Sequence, residues 1–338
     1  MKYARLLREG DVIGVCAPSS GVREDKFGRL TRALNNIEEL GYGTVESASL
    51  RMNEKCVSAP AETRAAEFMS LYENGGVAAI IPPWGGEFLM DMLPYLDFDY
   101  LSDLPPKWVC GYSDITTLTF PLTVRCDIAT VHGSCLMNMG YAKIHENDLT
   151  AFKVMSERTT AQKSSAFTGG YAPWDGPSGY AYDLSEKSEW KSLDGVASHF
   201  FEGRMIGGCM DVLCKLIGTR FDTVGDFLEK YKSDGFIWTL ESCEMSSADI
   251  YRTIWHMRER GWFKHCAGIV YGRAAGYSDT MSFNLTDALK HGFGGMDVPV
   301  IYDADIGHIP PQIQIVNGSR GSVDYNCGGA EIVQELAE

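Results

Sequence analysis

The sequence lacks the features that would place it in a membrane or a disulfide framework. No run of about 18 apolar residues, the length that a membrane-spanning helix needs, occurs in its 338 residues. The first 20 residues contain no sustained apolar segment of the kind found in secretory signals. Ten cysteines stand apart, and none forms a CxxC pair. These absences predict a cytoplasmic protein with reduced, mostly buried thiols.

Basic residues are also scarce. The chain has 30 Lys and Arg against 45 Asp and Glu, which gives a net charge of −15. Such a charge repels phosphate backbones and anionic lipid surfaces, so we expect neither nucleic acid nor a membrane as partner. A small peptide or another small molecule is the expected ligand.

Metal-binding and nucleotide-binding fingerprints are missing as well. His132 lies in VHGS, which we interpret as a loop, whereas His256 and His265 belong to one helix and its exit. No HExxH spacing brings histidines and carboxylates onto one face, so zinc catalysis is disfavoured and no metal site is predicted. The close glycines of GRMIGGC, which ends at Cys209, do not have the GxGxxG spacing of a dinucleotide site.

The first half of the chain alternates short apolar runs with a helical pattern. The runs are DVIGVCAPSS, GVAAIIPPW and PKWVCGYSD, and a helix is predicted from Phe27 to Leu40. This alternation is typical of a parallel sheet covered by helices, in which ligands bind beyond the carboxyl ends of the strands. Pro18, Trp84 and Ser113 each lie just past such an end.

The regular pattern stops between residues 161 and 194, where Gly, Ser, Pro and aromatic residues predominate. An interdomain linker and a long active-site loop both fit this composition. Strand and helix signals resume afterwards, in segments such as GFIWTLE and VPVIYDADIGH. We therefore predict an N-terminal domain of residues 1–160, a connecting segment of residues 161–194 and a C-terminal domain of residues 195–338.

Three polar residues each follow an apolar run. Ser113 stands on a predicted strand-to-helix turn, where a serine is exposed and the next backbone amides point at an oxyanion, although Ile115 replaces the second glycine of GxSxG. Glu241 ends GFIWTLE, and His308 follows VPVIYDADIG. A serine, an imidazole and a carboxylate are what acyl transfer needs. Each residue also has a structural explanation, as a helix cap, a paired carboxylate or a hydrogen-bonded histidine.

Gly85 and Gly86, in IIPPWGGE, follow another predicted strand. Paired glycines allow a backbone amide to approach a ligand closely, but they also suit an ordinary tight turn.

The ordered set GYSD, WTLES and DADIGH resembles the serine LD-carboxypeptidase family, which includes the microcin C self-immunity peptidases. The similarity covers nearly the whole chain, through GDVIGVCAPSSG, GGEFLMDMLPYLDFDYL, HGS, GRMIGG and DIGHIPPQIQIVNG. It implies Ser113 as nucleophile, His308 as general base, Glu241 as the orienting carboxylate, and the amides of Gly86 and Asp114 as oxyanion hole.

The same resemblance implies an α/β fold. Its N-terminal domain is a doubly wound, flavodoxin-like parallel sheet, and its C-terminal domain is built around a β-barrel-like sheet. It further implies a homodimer that needs neither a metal nor an organic cofactor.

Some residues depart from the family pattern. Trp84 and Glu87 flank Gly85 and Gly86, where carboxypeptidases of the family typically have an arginine and an aromatic residue. Cys209 stands where an asparagine is common. The resemblance implies that these positions bind the substrate, so the departures from the family pattern leave the identity of the substrate undecided.

The GHxxPQ arrangement, from His308 to Gln312, and the long aromatic segment are closer to the immunity-peptidase branch. That branch hydrolyses the amide between an aminoacyl group and a nucleotide, with a loop tryptophan stacked on the base. The resemblance implies an aminoacyl-nucleotide substrate and Trp174 or Trp190 on its base, although interdomain packing would explain these rings equally well. A muropeptide LD-carboxypeptidase and a catalytically silent ligand-binding relative are the alternatives.

Overall fold

The computed structural model describes residues 1–337. Its strands are β1 (Val12–Val15), β2 (Gly43–Glu46), β3 (Val77–Ile80), β4 (Trp108–Val109), β5 (Thr130–His132), β6 (Thr159–Gln162), β7 (Ala166–Phe167), β8 (Glu186–Lys187), β9 (Lys191–Ser192), β10 (Ser198–Cys209), β11 (Phe236–Glu241), β12 (Cys266–Gly272), β13 (Val300–Ala304), β14 (Ile315–Asn317), β15 (Arg320–Asn326) and β16 (Gly329–Glu335). Its α-helices are α1 (Phe27–Glu39), α2 (Ala61–Glu73), α3 (Phe98–Asp103), α4 (Thr116–Val124), α5 (Glu146–Ser156), α6 (Met210–Leu216), α7 (Val224–Lys230), α8 (Ser247–Glu259) and α9 (Leu285–Phe293).

The N-terminal part is a parallel sheet with the strand order β2-β1-β3-β4. All four residues of β3 are buried, as expected for a strand whose two faces are both covered. Helix α1 packs on the sheet through an apolar stripe that contains Leu30, Ala33, Leu34 and Ile37, spaced three or four residues apart. The predicted parallel sheet and the helix from Phe27 are confirmed.

The C-terminal part is a larger mixed sheet with the order β6-β16-β15-β10-β11-β12-β13-β9. Strands β10 to β13 run parallel, with helices in the connections, whereas β15 and β16 are antiparallel. The long strand β10 joins these two halves, since it pairs with β15 on one side and β11 on the other. The predicted α/β class is confirmed, with the expected parallel sheet in the N-terminal part; the C-terminal part, expected to be built around a β-barrel-like sheet, contains this larger mixed sheet.

Two local interpretations of the sequence are wrong. His132 is the last residue of strand β5 rather than part of a loop. Residues 161–194 are not without regular structure, because they contain β7, β8, β9 and the end of β6. The reason is pairing with distant segments: β6 pairs with β16, and β9 pairs with β13.

The two parts of the chain are interleaved near the carboxyl end. Strand β14 pairs with β5 of the N-terminal part, although its neighbours in sequence belong to the C-terminal sheet. The domain boundaries derived from the sequence therefore stay a prediction. No helix within residues 1–337 is long and apolar enough to cross a membrane.

Candidate active site

Ser113 lies at a strained turn between a buried strand and a helix. Strand β4 ends at Val109, and Ser113 opens a 3-10 helix that leads into α4. The backbone φ of Ser113 is +61°, which non-glycine residues rarely adopt and which costs about 1–3 kcal/mol. Gly111 makes the turn possible, because a Cβ there would lie 2.8 Å from Ile115. The arrangement has the geometry of a nucleophile elbow.

The paired glycines pack directly against this turn. A Cβ on Gly85 would lie 2.8 Å from Ser113 Oγ and 2.9 Å from the Asp114 amide nitrogen, so a larger residue is excluded. Gly86 has a φ of +152°. Neither its amide nor that of Asp114 donates a hydrogen bond within residues 1–337. Both amides are therefore free to donate to a ligand beside Ser113.

The side chain of Asp114 fixes the surrounding loops. Its carboxylate is buried and accepts hydrogen bonds from Ser19 Oγ at 2.5 Å, the Leu89 amide at 2.9 Å and Thr117 Oγ1 at 3.0 Å. These donors belong to three separate segments, so one carboxylate holds the glycine loop against the serine turn. The sequence indicated a role for the Asp114 amide but gave no sign of this one.

Glu241 and His308 form a buried pair. Glu241, the last residue of β11, is fully buried, and its Oε2 lies 2.8 Å from His308 Nδ1. Burial raises the pKa of Glu241, but the combined effects of His308, His132 and the Cys209 thiol outweigh it, so the pKa lies below its ordinary value. Burial lowers the pKa of His308, whereas Glu241 and the Cys243 thiol raise it, to about 10. The pair is therefore ionic near neutral pH.

Glycine makes room for this pair. Gly307 has a φ of +99°, and a Cβ there would lie 2.7 Å from Glu241 Oε2. The ring of Tyr112, which precedes the serine, contacts the His308 ring edge-on with centroids 4.9 Å apart. The structure thus brings Ser113, Glu241 and His308 into one region. It contains no hydrogen bond between Ser113 and His308, a contact that often tightens only when substrate binds.

His132 lies on the other side of Glu241, a contact that sequence reasoning missed. Its Nε2 is 3.6 Å from Glu241 Oε1, and neither atom has another partner in the described chain. Its Nδ1 lies 3.5 Å from Thr116 Oγ1. Burial lowers the pKa of His132 to about 4, so the ring is neutral at neutral pH. The signals in the sequence were a histidine directly after an apolar run and its place in the HGS motif of the family resemblance.

A cavity of about 650 Å³ opens in front of Ser113. Its walls come from the loop after β3, helix α6 and the segment between β11 and α8. Carboxylates outnumber cations along it: the acidic residues are Glu87, Asp114, Asp211, Glu244 and Asp249, and the basic ones are Lys215 and Arg252. Burial, together with the negative charges of Glu244 and Asp114, raises the pKa of Glu87.

The structure places only some of the predicted substrate-binding residues at this cavity. Glu87 and Cys209 line it, and Gly85 lies beneath Ser113. Trp84 is not among the lining residues; its indole Nε1 donates to the Ser20 carbonyl oxygen at 3.1 Å.

Trp174 and Trp190 also lie away from the cavity walls. Trp190 is only 2% exposed and donates from Nε1 to Asp305 at 2.9 Å, so in this conformation it is a core residue rather than a stacking platform. Trp174 packs over Gly28 of α1. The two tryptophans of residues 161–194 thus pack against other parts of the protein. The composition of the segment does not predict these contacts.

Sequence comparison identifies the class of protein. Profiles for the N-terminal and C-terminal domains of LD-carboxypeptidases match residues 13–133 and 202–323. The chain belongs to the LD-carboxypeptidase family, which confirms the resemblance seen in its motifs.

Individual relatives extend over almost the whole chain. A Vibrio cholerae protein named as a carboxypeptidase is 25% identical and covers 96% of both chains. A Bacillus subtilis protein named as a murein peptide carboxypeptidase is 24% identical, over 95% of this chain and 91% of its own. The microcin C7 self-immunity protein MccF of Escherichia coli is 23% identical, over 97% of this chain and 95% of its own.

Solved structures share the fold. MccF in complex with glutamyl sulfamoyl guanosine superposes with a TM-score of 0.82 at 20% identity, over 99% of each chain. A muramoyltetrapeptide carboxypeptidase from Oxalobacter formigenes superposes with a TM-score of 0.74 at 18% identity, over 96% of this chain and 98% of its own.

The contact between His132 and Glu241 leads to a first prediction. Replacing His132 with Ala removes the imidazole that faces the buried Glu241 Oε1 at 3.6 Å, a contact longer than a hydrogen bond. An unsatisfied buried polar group costs about 1–3 kcal/mol, so the carboxylate is less well stabilised in the variant. We expect kcat to fall roughly 10- to 100-fold with KM nearly unchanged, since His132 does not line the cavity. Steady-state kinetics of the purified variant provide the measurement.

The matched control is His132→Gln, whose amide keeps a donor and should recover part of kcat. An alanine variant that loses thermal stability but keeps its kcat would show that His132 is only a packing residue.

Proposed function

We propose that this chain is a serine hydrolase that cleaves a carboxamide bond through an acyl-enzyme. Ser113 is the nucleophile, His308 the general base, and Glu241 the carboxylate that orients the imidazole. The observation that carries the proposal is the 2.8 Å contact between Glu241 and His308 beside a serine held at a φ of +61°. An isolated buried carboxylate would be costly, and pairing it with an imidazole next to a strained serine suits acyl transfer.

The reaction follows from the position of each group. His308 in its neutral form accepts the proton of Ser113 as the serine oxygen attacks the substrate carbonyl. The amides of Gly86 and Asp114, which have no other acceptor, stabilise the oxyanion. His308 then gives the proton to the leaving nitrogen, and water releases the acyl group by the same steps. Glu241 stabilises the imidazolium throughout.

For the substrate, we propose an aminoacyl-nucleotide conjugate. The support is the likeness to MccF, whose structures hold glutamyl sulfamoyl guanosine and aspartyl sulfamoyl adenosine. The acidic cavity adds a preference, because its carboxylates favour an acyl group that carries an ammonium over one with a second carboxylate.

A muropeptide tetrapeptide is the second candidate. It is favoured by the full-length similarity to the Bacillus subtilis relative and by the shared fold of the Oxalobacter formigenes carboxypeptidase. A cytoplasmic location, a homodimer and activity without metal or cofactor complete the proposal, together with domains at residues 1–160 and 195–338. These rest on the family and on the sequence.

Covalent catalysis at Ser113 is tested by its replacement with Ala. Removing the nucleophile should lower kcat by roughly 10⁴- to 10⁶-fold. The thermal transition should stay close to that of the parent, because the side chain is only partly buried. Rapid-quench intact-mass measurement of the parent should detect an acyl adduct on Ser113 that the variant does not form. A variant that keeps its kcat would refute the proposal.

The pKa of His308 predicts the dependence of activity on pH. Because the ring must be neutral to act as base, kcat/KM should rise as the pH passes through the raised pKa of His308, well on the alkaline side. Glu241→Gln removes the negative charge that raises this pKa while burial remains. We therefore expect the acidic limb of the plot of kcat/KM against pH to lie at lower pH in Glu241→Gln than in the parent, with a lower maximal rate.

Glu244→Gln is the matched control, since Glu244 lines the cavity but does not pair with His308. Equal acidic limbs in the parent and in Glu241→Gln would contradict the assigned base.

The leaving group is proposed to contact the aromatic segment at Tyr171. Like Trp174 and Trp190, Tyr171 is not among the residues that line the cavity, but it differs from both in being exposed, by 37%. It accepts a hydrogen bond from Asn138 and lies near the Tyr112 ring, which contacts His308. Stacking on a base is worth about 1–3 kcal/mol. Tyr171→Ala should therefore raise KM for an aminoacyl-sulfamoyl adenosine roughly 10- to 100-fold, measured by product chromatography.

Trp174→Ala is the matched control and should leave KM unchanged, because its ring covers Gly28. Efficient trimming of a muropeptide tetrapeptide, with no turnover of the nucleotide conjugate, would replace the first substrate class with the second.

A further inference from the structure

Three potential metal ligands meet at the proposed catalytic centre. The Sγ atom of Cys209, a carboxylate oxygen of Glu241 and a ring nitrogen of His308 all lie within 4.8 Å of one another. The cause is strand register, because Cys209 and Glu241 are paired residues at the ends of the parallel strands β10 and β11. Their side chains therefore project side by side toward His308.

These donor types suit a thiophilic divalent cation. Zinc binds thiolate, imidazole and carboxylate at about 2.0–2.3 Å, which places tetrahedral ligand atoms roughly 3.5 Å apart. Side-chain shifts of about 1 Å would bring the three groups to that spacing.

A second observation points to a ligand at the same place. Glu241 is fully buried, and its Oε1 has no hydrogen-bond partner in residues 1–337, since the neutral His132 ring that faces it at 3.6 Å is beyond hydrogen-bond distance. A buried carboxylate oxygen with unused lone pairs is a strong acceptor for a cation. The Cys243 thiol lies beside His308 and lines the same cavity as Cys209, but it is not one of the three atoms that meet within 4.8 Å.

We propose that Cys209, Glu241 and His308 bind Zn²⁺ or Cd²⁺, with water in the fourth position, and that the bound ion inhibits hydrolysis. Binding replaces the protons of the Cys209 thiol and the His308 ring, which pass to solvent. Inhibition rests on the proposed function, because a His308 ring bound to the ion through either nitrogen can no longer accept the proton of Ser113. Cation binding itself does not depend on that function.

The binding test uses Ser113→Ala protein, in which no turnover occurs and the ligand set is intact. The exposed thiols Cys56 and Cys327 are replaced by Ser to remove adventitious ligands. After treatment with a chelator, Zn²⁺ is titrated in competition with a chromophoric chelator, and Co²⁺ reports thiolate coordination by its near-ultraviolet charge-transfer absorption. We expect one equivalent of Zn²⁺, and no binding of Mg²⁺ under the same conditions.

Two variants in that background decide the ligand set. Cys209→Ser and Glu241→Gln should each weaken Zn²⁺ binding by about tenfold or more, and Cys209→Ser should also remove the cobalt–thiolate absorption. Cys214→Ser is the matched control, since this thiol lines the same cavity outside the cluster and should leave affinity unchanged. Circular dichroism of each variant establishes that it is folded, and Cys209→Ala replaces the serine variant if that one is not.

Unchanged Zn²⁺ affinity in folded Cys209→Ser, or an equal loss in Cys214→Ser, would overturn the site. In the active enzyme, Zn²⁺ should abolish hydrolysis and a chelator should restore it; binding without inhibition would overturn the inhibitory role. Failure of the enzyme on every substrate would contradict the proposed function alone, because binding is read from the Ser113→Ala protein.

Discussion

The structure around the candidate site depends on one constraint, the burial of the Glu241 carboxylate. A carboxylate removed from water loses several kcal/mol of hydration unless other groups replace it. Here His308 faces one oxygen at 2.8 Å and His132 approaches the other at 3.6 Å. Gly307 leaves the space that the carboxylate needs. The ends of β5 and β11 and the turn after β13 are thereby fixed relative to one another.

The same constraint links the two parts of the chain. Ser113 and His132 belong to the N-terminal part, whereas Glu241 is the last residue of β11 and His308 follows β13, both in the C-terminal sheet. A hydrogen bond of 3.3 Å from the Cys209 amide to Thr116 Oγ1 connects β10 with the helix behind the serine. The proposed catalytic groups therefore assemble only when both parts pack together, and the pairing of β14 with β5 stabilises that packing.

Local sequence was informative where the structure is set by neighbours in the chain. The turn at Ser113 follows from an apolar strand, a glycine and a helix start, and Glu241 was recognisable as the end of an apolar run. The position of His132 could not be predicted, because its partner lies in a distant strand and no spacing rule connects the two. For the same reason, the sequence could not decide between packing and base stacking for Trp190, because its contact with Asp305 depends on how residues 161–194 fold back. The acidic cavity also arises from segments far apart in the sequence.

The most direct test of this account is nuclear magnetic resonance of the protein labelled with ¹⁵N at histidine, recorded across a pH titration. The pairing of Glu241 with His308 predicts a strongly downfield Nδ1 proton for His308 and a ring that stays protonated well above the ordinary histidine pKa of about 6.5. Both features should be lost in Glu241→Gln. A His308 ring that titrates near its ordinary value, equally in the parent and in Glu241→Gln, would contradict the account.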